Sequence, residues 1–176
     1  MDKPSLDTLG RHLQSLRHAR GLSLSQLAAD AGIAKSNLSR LEQGKSNPTL
    51  ETIWRLAVQL NLPFGNLVAP INVPFGGNGV QVRLIDQGTQ NPHVDAYWMS
   101  CAAHIVREAE AHSPGTTESI TIISGQIEVG NEGNTKLLSA GESHTFAADR
   151  PHIYQTGDSV ATLLMTIIYA RTGSTS

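Results

Sequence analysis

The hydrophobic period of this chain changes near residue 70, and a single kind of secondary structure cannot satisfy both halves. Before that point apolar residues recur at helical spacing: Leu6, Leu9, Leu13 and Leu16, then Leu50, Ile53, Trp54, Ala57 and Leu60. After it, short runs rich in Val, Ile, Thr and Tyr lie between glycine turns: Val80–Ile85, Tyr97–Val106, Ser119–Ile123, Gln126–Val129, Thr135–Leu138, Ser143–Ala147, His152–Gln155 and Val160–Tyr169. Runs of that composition and spacing predict an antiparallel β barrel or sandwich. Pro70, Pro74, Gly76, Gly77 and Gly79 punctuate the join. The expected organisation is therefore a helical domain over 1–69, a linker at 70–79 and an all-β domain over 80–176.

With 39% hydrophobic and 16% charged residues, the chain has enough apolar surface to build cores. A single cysteine, Cys101, excludes an intrachain disulfide and a four-thiolate zinc site, and in a strand run it reads as an inert buried thiol. No charged-then-apolar leader opens the chain, and its longest apolar stretch, Val160 to Ala170, is 11 residues interrupted by two threonines. A cytoplasmic protein with no membrane partner is expected.

The net charge of −2 hides an asymmetry. Residues 1–70 carry eight Lys and Arg against five acids, a balance of +3, and the other 106 residues carry five against ten, a balance of −5. A polyanion partner is therefore permitted for the N-terminal part alone.

Helices are predicted over about 5–20, 23–31, 34–43, 49–60 and 63–69. Ser23 and Gln26 have the spacing of a capping box, Gly32 supplies a tight turn, and Gly44 ends the helix that begins near Lys35. Two short helices joined through a glycine turn make a helix-turn-helix arrangement. Leu27, Ala28, Ile33, Leu38 and Leu41 would fix the angle between them, leaving Lys35, Ser36, Ser39 and Arg40 outward as a groove-reading face.

The stretch from Ser23 to Leu50 resembles the five-helix DNA-binding domain of phage-repressor-type (XRE) regulators, and the match in spacing extends over 5–69. The resemblance places Lys35, Ser36 and Arg40 on base edges, with Asn37 and Ser39 reaching bases or phosphate. Lys45, Ser46 and Asn47 would meet phosphate through side chains and backbone amides. It also implies a structural ion pair between Arg17 and Glu42. Many members have Gln at the second residue of the 23–31 helix, where this chain has Leu24, so phosphate anchoring there falls to Ser23 or Ser25.

In the second half Glu118, six intervening residues and Gly125 resemble the end of the first cupin motif. Gly141 with Pro151-His152 resembles the second, with Thr156 where an Asn is usual. Cupins are small double-stranded β-helix or jelly-roll barrels, which implies that fold here. Cupin enzymes commonly hold a divalent metal with three His and one Glu, because imidazole and carboxylate suit such ions. In this chain Pro114 stands in the place of the second His. Only His112, Glu118 and His152 remain as candidate ligands, with His144 or His104 outside them. No cofactor is therefore expected. Glu118 and His152, with Trp98 and Tyr154 lining a cavity, are instead expected to bind an organic effector. His93 and His112 lie near prolines in loop-like sequence, where exposure is expected.

The resemblance implies a sequence-specific transcriptional regulator, not an enzyme. It would bind a palindromic operator in double-stranded DNA as a homodimer, with its cupin domain sensing a small molecule. The apolar β half is the expected seat of the dimer interface. Regulators of this two-domain group often govern sulfur, amino-acid or polyamine use, and the runs 115–129 and 146–154 resemble members linked with sulfur utilisation. Two other functions compete: a cupin metalloenzyme (oxygenase or isomerase) with an accessory helical domain, and a DNA-binding protein whose cupin only dimerises.

Overall fold

The computed structural model describes residues 1–71 and 73–170. Asn72, within the 70–79 assignment, and residues 171–176, at the end of the 80–176 assignment, lie outside the described residues. The chain forms two compact units, Met1–Phe75 and Gly76–Ser176.

The first unit consists of α1 (Lys3–Ala19), α2 (Leu24–Asp30), α3 (Lys35–Glu42), α4 (Leu50–Leu60) and α5 (Phe64–Val68). Short polar side chains set the starts of three of them by accepting free first-turn amides. Asp2 accepts from Ser5 N at 3.0 Å, so α1 begins before the expected Ser5. Ser23 and Gln26 form a reciprocal capping box, and Thr49 accepts from Thr52 N at 3.2 Å. Leu9 and Leu13 of α1, Leu27 of α2, Leu38 of α3 and Ile53 and Leu56 of α4 are fully buried in one core. Gly10 lets α1 approach α3 closely: a Cβ there would lie 2.6 Å from the carbonyl oxygens of Leu41 and Glu42.

Among the described residues the second unit, whose first strand starts at Phe75 of the first, is all β: β1 (Phe75–Gly77), β2 (Val80–Gln87), β3 (Val94–Cys101), β4 (Val106–Ala109), β5 (Thr117–Ser124), β6 (Gln126–Asn131), β7 (Asn134–Ser139), β8 (Ser143–Ala147), β9 (His152–Gln155) and β10 (Ala161–Ile168). Two sheets form, in the orders β1-β2-β3-β10-β5-β8 and β4-β9-β6-β7. Strict alternation along β10 buries Ala161, Leu163, Met165 and Ile167 and leaves the intervening residues half-buried. Two strand expectations are corrected. Phe75–Gly77 pairs as a strand within the stretch read as linker. The single run Tyr97–Val106 is two strands in different sheets, because the chain turns between Ala102 and Ile105 with His104 at φ +57°. Thr156 staples that corner, donating to Ala102 O at 2.6 Å and accepting from Ile105 N at 3.1 Å.

Candidate functional site

The helix-turn-helix is built by α2 and α3. Gly32 at φ +62° makes the turn, and Ile33 N closes back on Ala28 O at 2.9 Å. Leu27 and Ala28 on one side and Leu38 and Leu41 on the other are buried, which fixes the rotation of α3. Lys35, Ser36, Asn37 and Arg40 are consequently exposed. Ser39 is half-buried and its hydroxyl accepts from Gln43 Nε2 at 3.0 Å. A cleft of about 320 Å³ lies between α3 and the loop before α4, and Asn37, Arg40, Ser46, Asn47, Thr49 and Thr52 line it. Lys45 is exposed and its ammonium donates to Gln43 Oε1 at 2.8 Å. Ser23 and Ser25 are exposed at the start of α2 while Leu24 between them is half-buried.

Arg17 does not belong to this face. Its Nε and Nη2 donate to the two Glu42 oxygens at 2.6 and 2.7 Å, and Nη1 donates to Leu22 O at 2.9 Å. Both side chains are buried, so the pair joins α1 to α3 as a bidentate contact.

In the β unit, buried ionisable groups converge from two sheets. Glu118 of β5 and His152 and Tyr154 of β9 face inward, each 1% exposed or less. His112 joins them from the segment before β5, where its backbone N donates to Ala148 O at 2.9 Å. The proline-adjacent expectation of exposure fails for His112, which is buried. His93 is half-buried and lies 2.8 Å from the buried Asp95. His112 Nε2 is 2.7 Å from Glu118 Oε1, and the Tyr154 hydroxyl donates to Glu118 Oε2. His152 Nδ1 donates to Arg150 O at 2.9 Å, which turns its Nε2 inward to 3.6 Å from Glu118 Oε1. Arg107 of β4 also faces inward, with its guanidinium 5.5 Å over the Tyr154 ring.

Burial alone would push the Glu118 carboxyl up, but hydrogen bonding and charge from His112 and His152 hold it well below the usual carboxylate range. Burial lowers His112 by more than Glu118 raises it. For His152 burial works the same way, yet Glu118 and the Arg150 carbonyl win and raise it. Burial pushes Tyr154 well up, so it remains a donor. The centre of the unit is therefore a carboxylate anion clasped by a phenol and two imidazoles.

Ligand atoms of His112, Glu118 and His152 all lie within 4.8 Å of one another. His152 Nε2 is buried and without a hydrogen-bond partner among the described residues. Two imidazoles and a carboxylate suit a divalent ion such as iron or zinc, so these residues fit a metal. His104 is instead exposed on the β3–β4 turn, and His144 is half-buried beside Phe146 outside the triad.

Trp98 is corrected. It is 38% exposed and lies on the outer face of β3, whose inward residues are Asp95, Tyr97, Met99 and Cys101. Arg107 was missed, because only the pairing Arg107↔Tyr154 tells that it shares the inward face.

A family profile described as a helix-turn-helix domain matches residues 8–70. The HTH-type transcriptional regulator SutR of Escherichia coli (strain K12) is 32% identical over 155 residues, covering 85% of this chain and 87% of that protein. An HTH_3 family transcriptional regulator from Vibrio cholerae has the same fold, with a TM-score of 0.85 at 24% identity over 97% of this chain and 100% of its own. The cupin_2 domain of an XRE family transcriptional regulator from Enterobacter cloacae superposes with a TM-score of 0.50 at 23% identity, over 53% of this chain and all of its own. No helix among the described residues is long and apolar enough to cross a membrane. With its five-helix unit and a relative matched along most of both chains, this protein belongs to the HTH-type transcriptional regulators, and its β unit has the fold of a cupin_2 domain.

Proposed function

We propose that this regulator reads a palindromic operator as a homodimer and that its cupin unit binds a small-molecule effector at the Glu118 cluster. The observation that carries the reading is the convergence of Glu118, His112, His152 and Tyr154 on a buried polar centre where His152 Nε2 has no hydrogen-bond partner among the described residues. A fold needs no such centre for stability, since even a paired buried charge is often no more stabilising than apolar residues of the same volume. A polar ligand would exchange hydrogen bonds with these groups, and Arg107 beside Tyr154 supplies a cation toward it.

For DNA, Lys35, Ser36 and Arg40 would meet base edges, and Asn37 and Ser39 bases or phosphate. Lys45, Ser46 and Asn47 would hold phosphate, as would Ser23 and Ser25 at the start of α2. Effector occupancy would act by shifting the relative position of the two DNA-reading heads. The test is a gel-shift titration on selected palindromes, with and without thiosulfate, amino acids and polyamines. A compound that shifts wild-type affinity but not that of His152→Ala supports the site. Affinity for the palindromes no better than for random duplex ends the DNA-reader reading.

A second reading has its own observation, the three ligand atoms within 4.8 Å. His112, Glu118 and His152 would hold a divalent ion, which would supply Lewis acidity or redox chemistry in a metalloenzyme. Tyr154 would keep one Glu118 oxygen oriented by its hydrogen bond, and the Arg150 carbonyl would fix the His152 tautomer. Elemental analysis decides: one tightly held metal per chain, lost in His152→Ala, favours this reading.

A further inference from the structure

Charge inside the β unit is arranged against the balance of its sequence. The 106 residues after residue 70 carry five Lys and Arg against ten acids, yet an inward row of the four-stranded sheet has a cation at each end. That row runs Arg107, Tyr154, Val129, Lys136 across β4, β9, β6 and β7. Tyr154 and Val129 are fully buried, which fixes the row as inward. Arg107 is half-buried with its guanidinium over the Tyr154 ring, and Lys136 is exposed at the far edge.

The inward acids are sealed. Among the described strands they are Asp95 and Glu118, on one row of the other sheet that runs Asp95, Ile167, Glu118, Phe146. Neither is more than 1% exposed, and both oxygens of each are engaged. Asp95 has His93 at Oδ1 and accepts the Tyr97 and Tyr169 hydroxyls at Oδ2. Glu118 has His112 at Oε1 and accepts the Tyr154 hydroxyl at Oε2. Two imidazole nitrogens are left over: His152 Nε2 and His144 Nε2 are buried without a hydrogen-bond partner among the described residues. The Phe146 ring is 5.4 Å from the His152 ring and 5.7 Å from the His144 ring.

We infer that the effector is an oxyanion, a carboxylate or an inorganic oxyanion, with its charged oxygens on Arg107. The inference rests on the effector site of the preceding section and names the chemical class of its ligand. A cationic ligand such as a polyamine would have to displace His112 or Tyr154 from Glu118, and would come to rest beside a like charge. An oxyanion displaces neither. The guanidinium offers it a planar fork that matches two oxygens at once, in surroundings where a charge acts more strongly than in water. The unpartnered His152 Nε2 marks where a further polar group of the ligand is received. Lys136, exposed at the far end of the row, adds to the field and holds the ligand only weakly.

Isothermal titration on the full chain tests this, with sulfate, thiosulfate, succinate, glutamate and putrescine as probes and circular dichroism to confirm folding. At least one of the four anions binds saturably, and the tightest of them tells the inorganic from the carboxylate source. Arg107→Gln raises its dissociation constant about thirtyfold or more. Arg107→Lys keeps the charge without the fork and loses less, but still loses. Lys136→Gln weakens binding at most about fivefold. Arg83→Gln, at an exposed position on the outer face of β2, changes nothing. A folded Arg107→Gln that binds the anion like wild type overturns the inference; should that variant unfold, unchanged binding in Arg107→Lys overturns it instead. Saturable binding of putrescine alone, abolished in His152→Ala, also overturns it and leaves the effector site standing with a ligand of opposite charge. Binding of none of the five overturns the inference, while the gel-shift titration of the preceding section judges the effector site by itself.

Discussion

Arg17 and Arg40 are both cations of the DNA-reading unit, yet their surroundings give them opposite consequences. Arg17 is buried against Glu42 with two hydrogen bonds between them, so removing either partner strands a charge in the core. Arg17→Ala or Glu42→Ala is expected to cost about 3–5 kcal/mol, visible as a lowered urea midpoint. Arg40 is exposed on α3, so Arg40→Ala should leave that midpoint alone and weaken specific DNA binding by about 1–3 kcal/mol. Lys45→Ala should instead weaken all sequences alike and flatten the salt dependence by about one unit. Gel shifts at several salt concentrations separate the two, and equal losses on specific and random duplex for Arg40→Ala would remove it from the base edges. Burial pushes the Cys101 thiol up to about 11. At pH 8 native Cys101 should therefore react with a thiol reagent about a hundredfold more slowly than in the unfolded chain from ionisation alone. Labelling at the unfolded rate would contradict its burial.

Helices and strands differed in how openly they declared themselves. The five helices were legible because helical spacing and caps act within a few residues: Ser23 with Gln26, Thr49 with Thr52 and the Gly32 turn are local facts. Gly10 was not legible, since its need for no side chain comes from the Leu41 and Glu42 carbonyls far along the chain. Gly10→Ala should push α1 off α3 and destabilise by about 1–3 kcal/mol, read in the thermal midpoint of the full chain. In the β unit the motif residues Glu118 and His152 do face inward, and His112 and Tyr154 hydrogen-bond to Glu118. Trp98 failed for a physical reason. Its strand holds two adjacent aromatics, and the parity shared with Tyr97 includes Asp95, a carboxylate that alternation would normally send to water. Asp95 is fully buried because His93, Tyr97 and Tyr169 all hydrogen-bond to it, and that third partner lies 74 residues away. The β3–β4 corner was hidden likewise, since the Thr156 hydroxyl that makes it belongs to a later segment.

At the scale of the whole molecule, charge is partitioned between the units: +3 in residues 1–70 against −5 in the remainder. A polyanion is attracted to the first and repelled by the second, so DNA contact is expected on the helical unit. One α3 helix spans only a few base pairs, so in the proposed homodimer affinity for a palindrome would come from two heads held together. If the proposed dimer holds its heads at one spacing, such binding depends on rotational phase, because half-sites must present their major grooves to both heads. Inserting five base pairs between half-sites turns one to the opposite side of the duplex. Affinity should fall about a hundredfold or more, while a ten-pair insertion restores the phase and loses less. Gel shifts on the three duplexes test this, and a wild-type affinity indifferent to the five-pair insertion would mean that its heads bind independently.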